Sequence, residues 1–454
     1  ILLYVEGIRH ARKFMSAARA AARMKPVIVV KGGRHPGAAK AAASHTGALA
    51  GADDVYDAAF RRAGMLRVGN LEELFTATET LADVQSPNGD RLAIVTNGGG
   101  MGVLAADELL TLGGRLAELS AGSIAVLDQV LPSNWSHANP VDIIGDATPE
   151  RLAAAIRALL SHPADADAVL VLNCPTAVAS AADCARALID TLKAERTSLP
   201  VLTSWVGEQT ADAGRALLNA AGLATYETPG LAVSAFMQLV SYRRNQMLLM
   251  ETPPSVPEAF EPDSATARGI VTSHLAERGS GWLAGEETAR ILDAIGIPTV
   301  VSRQAVSPQE AGQLAAEFGV PVAIKILSPD ITHKSDVGGV VLDVVGREAA
   351  TEATERMLES VARASPEARL EGVTIQPMIQ RARSHELIIG MHTDRQFGPI
   401  LLFGQGGKAV EVVRDTALGL PPLNLNLARE IMERTRVHEL LLGYRDQPAA
   451  DLEA

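Results

Sequence analysis

A short apolar run, a turn and then a stretch of helical spacing recur along this chain, and that alternation leaves few folds open. "LAIVTNGGGMGVLAADEL", "DAVLVLNCP" (Asp167–Pro175) and "LPVLTSWVG" (Leu199–Gly207) all start this way. Apolar strands alternating with helices predict a parallel, doubly wound α/β sheet. "KPVIVVKGG" (Lys25–Gly33) reads as another buried strand followed by a turn. "NLEELFTATETLADV" (Asn70–Val84) reads as a helix, with Asn70 as N-cap and Glu73 as its capping-box partner.

Two breaks divide the pattern. "SPNGDR" (Ser86–Arg91) is a turn-rich punctuation, and "ETPPSVPEAFEPDSA" (Glu251–Ala265) holds Pro253, Pro254, Pro257 and Pro262 among acids. They suggest divisions at 1–85, 86–245, a linker over 246–280, and 281–454. In the last part "GEETARILDAIGIP" predicts a helix stopped by Gly296 and then a strand. "SPQEAGQLAAEFG" opens a helix with Ser307 as N-cap, Pro308 first and Glu310 three residues on. "VPVAIKIL", "GVTIQPMI", "HELIIGM" and "GPILLFGQGG" read as strands.

At 454 residues the chain has room for two to four domains. Its formal net charge of −12 carries no nucleic-acid footprint, so a phosphate-bearing ligand must be held by local glycine turns, helix N-termini and a few Lys or Arg. Cys174 and Cys184 make neither a disulfide framework nor, by themselves, a zinc site, and a reducing cytoplasm is expected. No apolar run reaches ~18 residues, so no membrane span is expected. The chain opens "ILLYVEGIRHARKF" without an initiator Met and reads as a piece of a longer protein.

Several segments could carry chemistry. In "NGGGMG", Asn97, Gly98, Gly99, Gly100 and Gly102 run from a strand into a helix, either as a phosphate cradle or as a tight turn needing positive φ. Lys325 in "VAIKIL" is costly to bury unpaired, and reads as a phosphate clamp or as an edge-strand gatekeeper. "SPDITHKSDVGGV" (Ser328–Val340) brings His333 and Lys334 in after that strand, near a nucleotide or simply in a solvated hairpin turn. Glu386, and Glu411 and Asp415 after "GQGGK", could face a magnesium-bound nucleotide or be surface charge. His45 in "ASHTGALAG" stands apart, an imidazole among small residues with no metal partner within two residues.

Taken in order, "KPVIVVKGGRHPGAAKAAASHTGALAG", "VTNGGGMGVLAAD", "NPVDIIGDA", "VAIKILSPDITHKSDVGGV" and "GPILLFGQGGKAVEVVRD" resemble the NDP-forming acyl-CoA synthetases, relatives of succinyl-CoA synthetase with α-like and β-like parts fused. The resemblance covers essentially the whole chain. It implies flavodoxin-like parallel-sheet domains followed by an ATP-grasp domain (α+β). Residues 1–85 would be the latter part of the second α domain, 86–245 the ligase-CoA domain and 281–454 the ATP-grasp domain, incomplete at its C-terminal end. A CoA-binding domain that precedes these in the family, and an acidic strand pair that follows them, have no counterpart in the sequence.

The resemblance also assigns roles. His45 would be the phosphohistidine, a nucleophile that splits one phosphoryl transfer into two. Glu6 of "YVEGI" would orient it, and His333 would relay the phosphoryl group at the nucleotide end. Lys325 would bind nucleotide phosphate, and "TIQPMI", with Gln376 and Met378, would form the adenine-side hinge. Gly98–Gly102 would hold phosphate facing the phosphohistidine. The implied reaction is acyl-CoA + ADP + phosphate ⇌ carboxylic acid + CoA + ATP, with Mg²⁺, in a cytoplasmic homo-oligomer that binds neither nucleic acid nor membrane. A non-turnover sensor half of a protein acetyltransferase is the alternative; intact Glu6, His45 and His333 argue against it. An ATP-grasp carboxylate ligase without a phosphohistidine ranks last, because it leaves residues 1–245 unexplained.

Overall fold

The computed structural model describes residues 1–35, 37–38, 52–253, 261–331, 333–379, 384–407 and 410–452. They form two compact units, Ile1–Pro253 with Glu386–Ala454, and Pro254–His385. The first unit opens on a parallel sheet of β1 (Leu2–Val5), β2 (Ile28–Lys31) and β3 (Leu66–Val68), in that spatial order. Val27 and Val29 pack with Tyr56, Phe60 and the helix Ala11–Met24. Ile28 and Val30 pack on the opposite face with Leu74 and Ala77 of the helix Leu71–Asp83. Both faces are therefore dry, which is why the run shows no polar alternation. Asn70 caps its helix as expected, its side chain accepting from the Glu73 amide at 2.9 Å. The Glu73 carboxylate reaches one residue further back than a capping box requires, accepting from the Gly69 amide at 2.7 Å.

The second sheet is also wholly parallel. Its strands are β4 (Arg91–Thr96), β5 (Arg115–Leu116), β6 (Val141–Asp142), β7 (Ala168–Asn173), β8 (Val201–Trp205) and β9 (Thr225–Tyr226). The order is β5-β4-β7-β8-β9, with β6 also pairing β4. Alternate residues face two separate cores, Val95, Val169 and Val171 on one side and Ile94, Leu170 and Leu172 on the other. The helix Pro229–Met250 covers the second core with Phe236 and Leu239, then continues to the first sheet. There Asn245 donates to the Met65 carbonyl and Gln246 to the Gly64 carbonyl, each at 2.7 Å. Leu249 enters the first sheet's core. Its 22 residues make a rod of about 33 Å.

In the second unit the expected linker is partly helical. Asp263 caps the helix Ser264–Arg278 directly after the last proline, Pro262, where nothing opposes helical backbone any longer. The strand expected after Gly296 forms further on, as β10 (Arg303–Ala305). It joins β11 (Val322–Leu327), β12 (Val340–Val344) and β13 (Gly372–Pro377) in an antiparallel sheet ordered β10-β13-β11-β12. The helices Pro308–Phe318 and Arg347–Ala364 cover one face, over Val322, Ile324, Ile326, Val373 and Ile375. Ser307, Pro308 and Glu310 start the first of these as expected. Gly372 lies at φ +124° against the Ala305 carbonyl, a backbone conformation and a close approach that exclude a side chain.

A third sheet returns to the first unit, antiparallel in the order β14 (Leu387–Asp394), β15 (Gly398–Gln405) and β16 (Thr416–Gly419). It docks on the first sheet's layer through Leu420 against Ala58 and Ala59, and through Gln396, which accepts from the Tyr56 hydroxyl at 2.9 Å. Among the described residues no helix is long and apolar enough to cross a membrane.

Candidate functional site

Glu6 follows directly on β1, and Lys31 ends β2 beside it, so both stand at the carboxyl edge of a parallel sheet, where ligands of such sheets bind. Lys31 is 3% exposed. Its ammonium donates to the Glu6 carbonyl at 2.9 Å and to the Gly32 carbonyl, and lies 4.7 Å from the centre of the Tyr56 ring. Burial holds the Lys31 pKa below its ordinary value, with Asp53 and Glu6 working against that. The Glu6 carboxylate accepts from the Tyr4 hydroxyl at 3.3 Å. His45 lies outside the described residues, but the flanks of its segment meet: the Arg34 guanidinium stands 3.6 Å from the Asp53 carboxylate, which Arg67 grips at 2.6 and 2.8 Å.

At the second sheet, β4 runs through Asn97 into the helix Gly99–Thr111. Asn97 is 6% exposed and holds the end of β7, donating to the Cys174 carbonyl at 3.0 Å and accepting from the Cys174 amide at 2.7 Å. Its side chain positions the turn. None of Gly98, Gly99, Gly100 or Gly102 has positive φ, so strained backbone is not what selects glycine here. Room is: a Cβ on Gly98 would stand 2.6 Å from Cys174 Sγ, one on Gly99 2.5 Å from the Asp142 carboxylate, and one on Gly102 3.0 Å from Thr96. Gly100 faces open space. Its amide and that of Gly99 have no partner among the described residues, leaving donors at the positive end of a helix.

Gly100→Ala thus separates the two readings of this turn. A Cβ there meets nothing, and in a helical first turn the exchange is expected to leave stability unchanged or raise it by about 0.5–1 kcal/mol. If the backbone approaches a phosphate, the KM for phosphate rises at least several-fold while the melting temperature holds. Unchanged kinetics would show the glycine serves only the turn.

In the second unit β11 lies between β13 and β12, so Lys325 is not on an edge and the gatekeeper reading is overturned. It stands on the face opposite the core, across from Thr374, and donates to Gln376 Oε1 at 2.7 Å. Met378 follows the same strand, its amide bonded to the Pro321 carbonyl at 2.8 Å. The segment after β11 is a hairpin connection with a 3₁₀ turn over Lys334–Val337, and exposed His333 precedes it. Gly339 packs against Ile326 and the Lys334 carbonyl, where a Cβ would clash. Burial, and then the charge of Lys325, hold Lys334 below its ordinary pKa. Neither lysine has a carboxylate partner among the described residues. Lys325, Lys334 and Gln376 thus gather as a cationic position; Glu386 belongs to the first unit, exposed, with its carbonyl accepting from the Gly406 amide at 2.7 Å.

Asp415 is spent on structure. It is 7% exposed and accepts from the amides of Arg436 and Val437 at 2.8 and 2.7 Å, capping the helix Arg436–Leu441. The Glu411 side chain lies outside the described residues, among which no group of three or more His, Cys, Asp or Glu could hold a metal ion. Trp135 is core, with its indole donating to Asp128 at 2.9 Å. Sequence reasoning passed over Lys31, although the argument made for Lys325, an ammonium on an apolar strand, applies to it equally.

Three families match the chain in series: a succinyl-CoA ligase-like flavodoxin domain over residues 1–81, a ligase-CoA domain over 92–237 and an ATP-grasp domain over 274–454. The chain is 36% identical to acetate–CoA ligase [ADP-forming] I of Archaeoglobus fulgidus and 30% identical to 4-hydroxybutyrate–CoA ligase [ADP-forming] of Nitrosopumilus maritimus. Both alignments cover all of this chain and 64% of the relative, so the chain spans just under two thirds of their length. Among solved structures, it is similar to the dinucleotide forming acetyl-coenzyme A synthetase 1 of Ca. Korarchaeum cryptofilum in complex with phosphate and ADP, with 36% identity and a TM-score of 0.52 over 55% of this chain and 54% of that one.

Proposed function

The chain belongs to the ADP-forming acyl-CoA synthetase family, and on that premise we propose that its protein interconverts acyl-CoA, ADP and phosphate with a carboxylic acid, CoA and ATP. A phosphate oxygen attacks the thioester carbonyl, CoA leaves as thiol, and an acyl phosphate forms. An imidazole nitrogen of His45 then attacks phosphorus, the carboxylate leaves, and a phosphoramidate forms. A terminal oxygen of ADP takes the phosphoryl group, giving ATP and free imidazole. Each step exchanges one bond to phosphorus or carbonyl carbon for another, so positioning and charge compensation supply most of the acceleration.

The observation that carries this reading is that each unit offers its own anion position: the open amides of Gly99 and Gly100 in one, and Lys325 with Lys334 in the other. A phosphoryl group that visits both needs a carrier, and the segment of His45 starts and ends at Arg34 and Asp53. Glu6 is the carboxylate for the imidazole N–H, with Lys31 fixing its backbone. His333, Gln376 and Met378, all of the second unit, are proposed around the nucleotide. The described residues offer no group of three or more His, Cys, Asp or Glu for the implied Mg²⁺. The domain divisions 1–85, 86–245 and 281–454, a homo-oligomer and a cytoplasmic location belong to the same reading.

The test is CoA release without ADP. Full-length protein given acyl-CoA and phosphate alone is expected to release about one equivalent of CoA per site in a burst and then stop, because the phosphorylated carrier has no acceptor. Release that waits for ADP would sink the two-stage scheme.

A further inference from the structure

A groove of about 700 Å³ on the first unit runs beside the helix Ala11–Met24 and shares no residue with the positions above. Arg12, Arg19 and Arg23 line it from that helix, and Arg62 from the helix Asp53–Arg62. Spacings of seven and four residues put the first three on one helical face, about 10 and 6 Å apart along the axis. Among the described residues no carboxylate lines the groove. In a chain of net charge −12 that is unusual, and the contrast is local: Arg34, Arg61, Arg67 and Arg434 pair with Asp53 and Asp57. Arg12, Arg19 and Arg23 have no acidic partner among the described residues.

Arg62 is the sharper sign. It is 8% exposed, yet only one of its N–H groups is bonded, to the Leu248 carbonyl at 2.9 Å. Its remaining donors have no partner among the described residues and reach solvent. Burial depresses its pKa and the charge of Arg19 depresses it further, with Glu251 the one opposing acid; that carboxylate is bound to Asn424 and Asn426. A buried guanidinium crowded by a like charge gains from an anion. The floor of the groove is apolar, formed by Met15, Phe397 and Leu420. Planar guanidiniums over an apolar floor suit phosphates joined to a flat ring.

We infer that this groove is a second ligand site, for a nucleotide carrying more than one phosphate, with Arg12, Arg19, Arg23 and Arg62 on the phosphates and Phe397 and Leu420 under the ring. ADP, and the adenosine phosphates of CoA, share that chemistry.

The test uses the full protein with Lys325→Ala, to weaken the proposed nucleotide position of the other unit. ADP, CoA, pyrophosphate and adenosine are titrated calorimetrically at low salt. Saturable binding of ADP or CoA is expected, weakened at least tenfold by Arg19→Glu with Arg23→Glu at unchanged melting temperature. Arg23→Gln, at an exposed position, is expected to weaken it less but in the same direction, and serves should the double variant misfold. Tighter CoA binding would identify the extra 3′-phosphate as the feature read, and equal affinities the shared ADP moiety. No saturable binding, binding indifferent to these variants, or pyrophosphate binding as tightly as ADP would overturn the assignment.

Discussion

His45→Ala is expected to abolish phosphoenzyme and to cut turnover by about four orders of magnitude or more, since a covalent nucleophile has no substitute in the chain's proposed route. Wild-type enzyme incubated with ATP labelled at the terminal phosphate is expected to acquire acid-labile, base-stable label, the signature of a phosphoramidate, and the variant to acquire none. The attack of phosphate on the thioester does not use the imidazole. The variant is therefore expected still to release CoA from acyl-CoA and phosphate, stopping at bound acyl phosphate. Loss of label with retained CoA release places His45 at the second step. Label at wild-type level in the variant would refute the assignment.

Lys325→Ala is expected to lower kcat/KM for ADP by about 10²–10³, the usual range for removing one preorganised group that meets charge in the transition state. The CoA burst without ADP should persist, because the proposed first stage draws on Gly99 and Gly100 of the other unit. Stability should shift by no more than about 1 kcal/mol. Lys325 is on the face of β11 away from the core, and Gln376, left without its partner, is only half-buried. Wild-type ADP kinetics in this variant would remove Lys325 from the nucleotide site. A lost burst would mean that it serves the fold or the first stage instead.

The parallel sheets were legible because burial on both faces removes polar residues from the strands, as in "VIVV" and "VLVL". Helix starts at Asn70 and Ser307 were legible because capping is local chemistry. Roles set by residues distant in sequence were not. Asn97 answers to Cys174, 77 positions away, and Asp415 to amides 21 and 22 positions on. Periodicity also hides strand order, so Lys325 could be read as an edge residue until β12 and β13 were seen on either side. In "NGGGMG" the turn needs space beside Cys174 and Asp142 rather than left-handed backbone, which spacing along the chain does not reveal.

The helix Pro229–Met250 has one further consequence, for cooperativity. It closes the core of the second sheet with Phe236 and that of the first with Leu249, and its polar side chains complete carbonyls at Gly64 and Met65. Neither parallel sheet can open without stripping the same rod from the other. The two parallel sheets are therefore expected to melt as one foldon, with amide exchange at Leu66 on β3 and at Ile94 on β4 reporting a single opening event. Thermal motion that would otherwise swing one sheet against the other is suppressed.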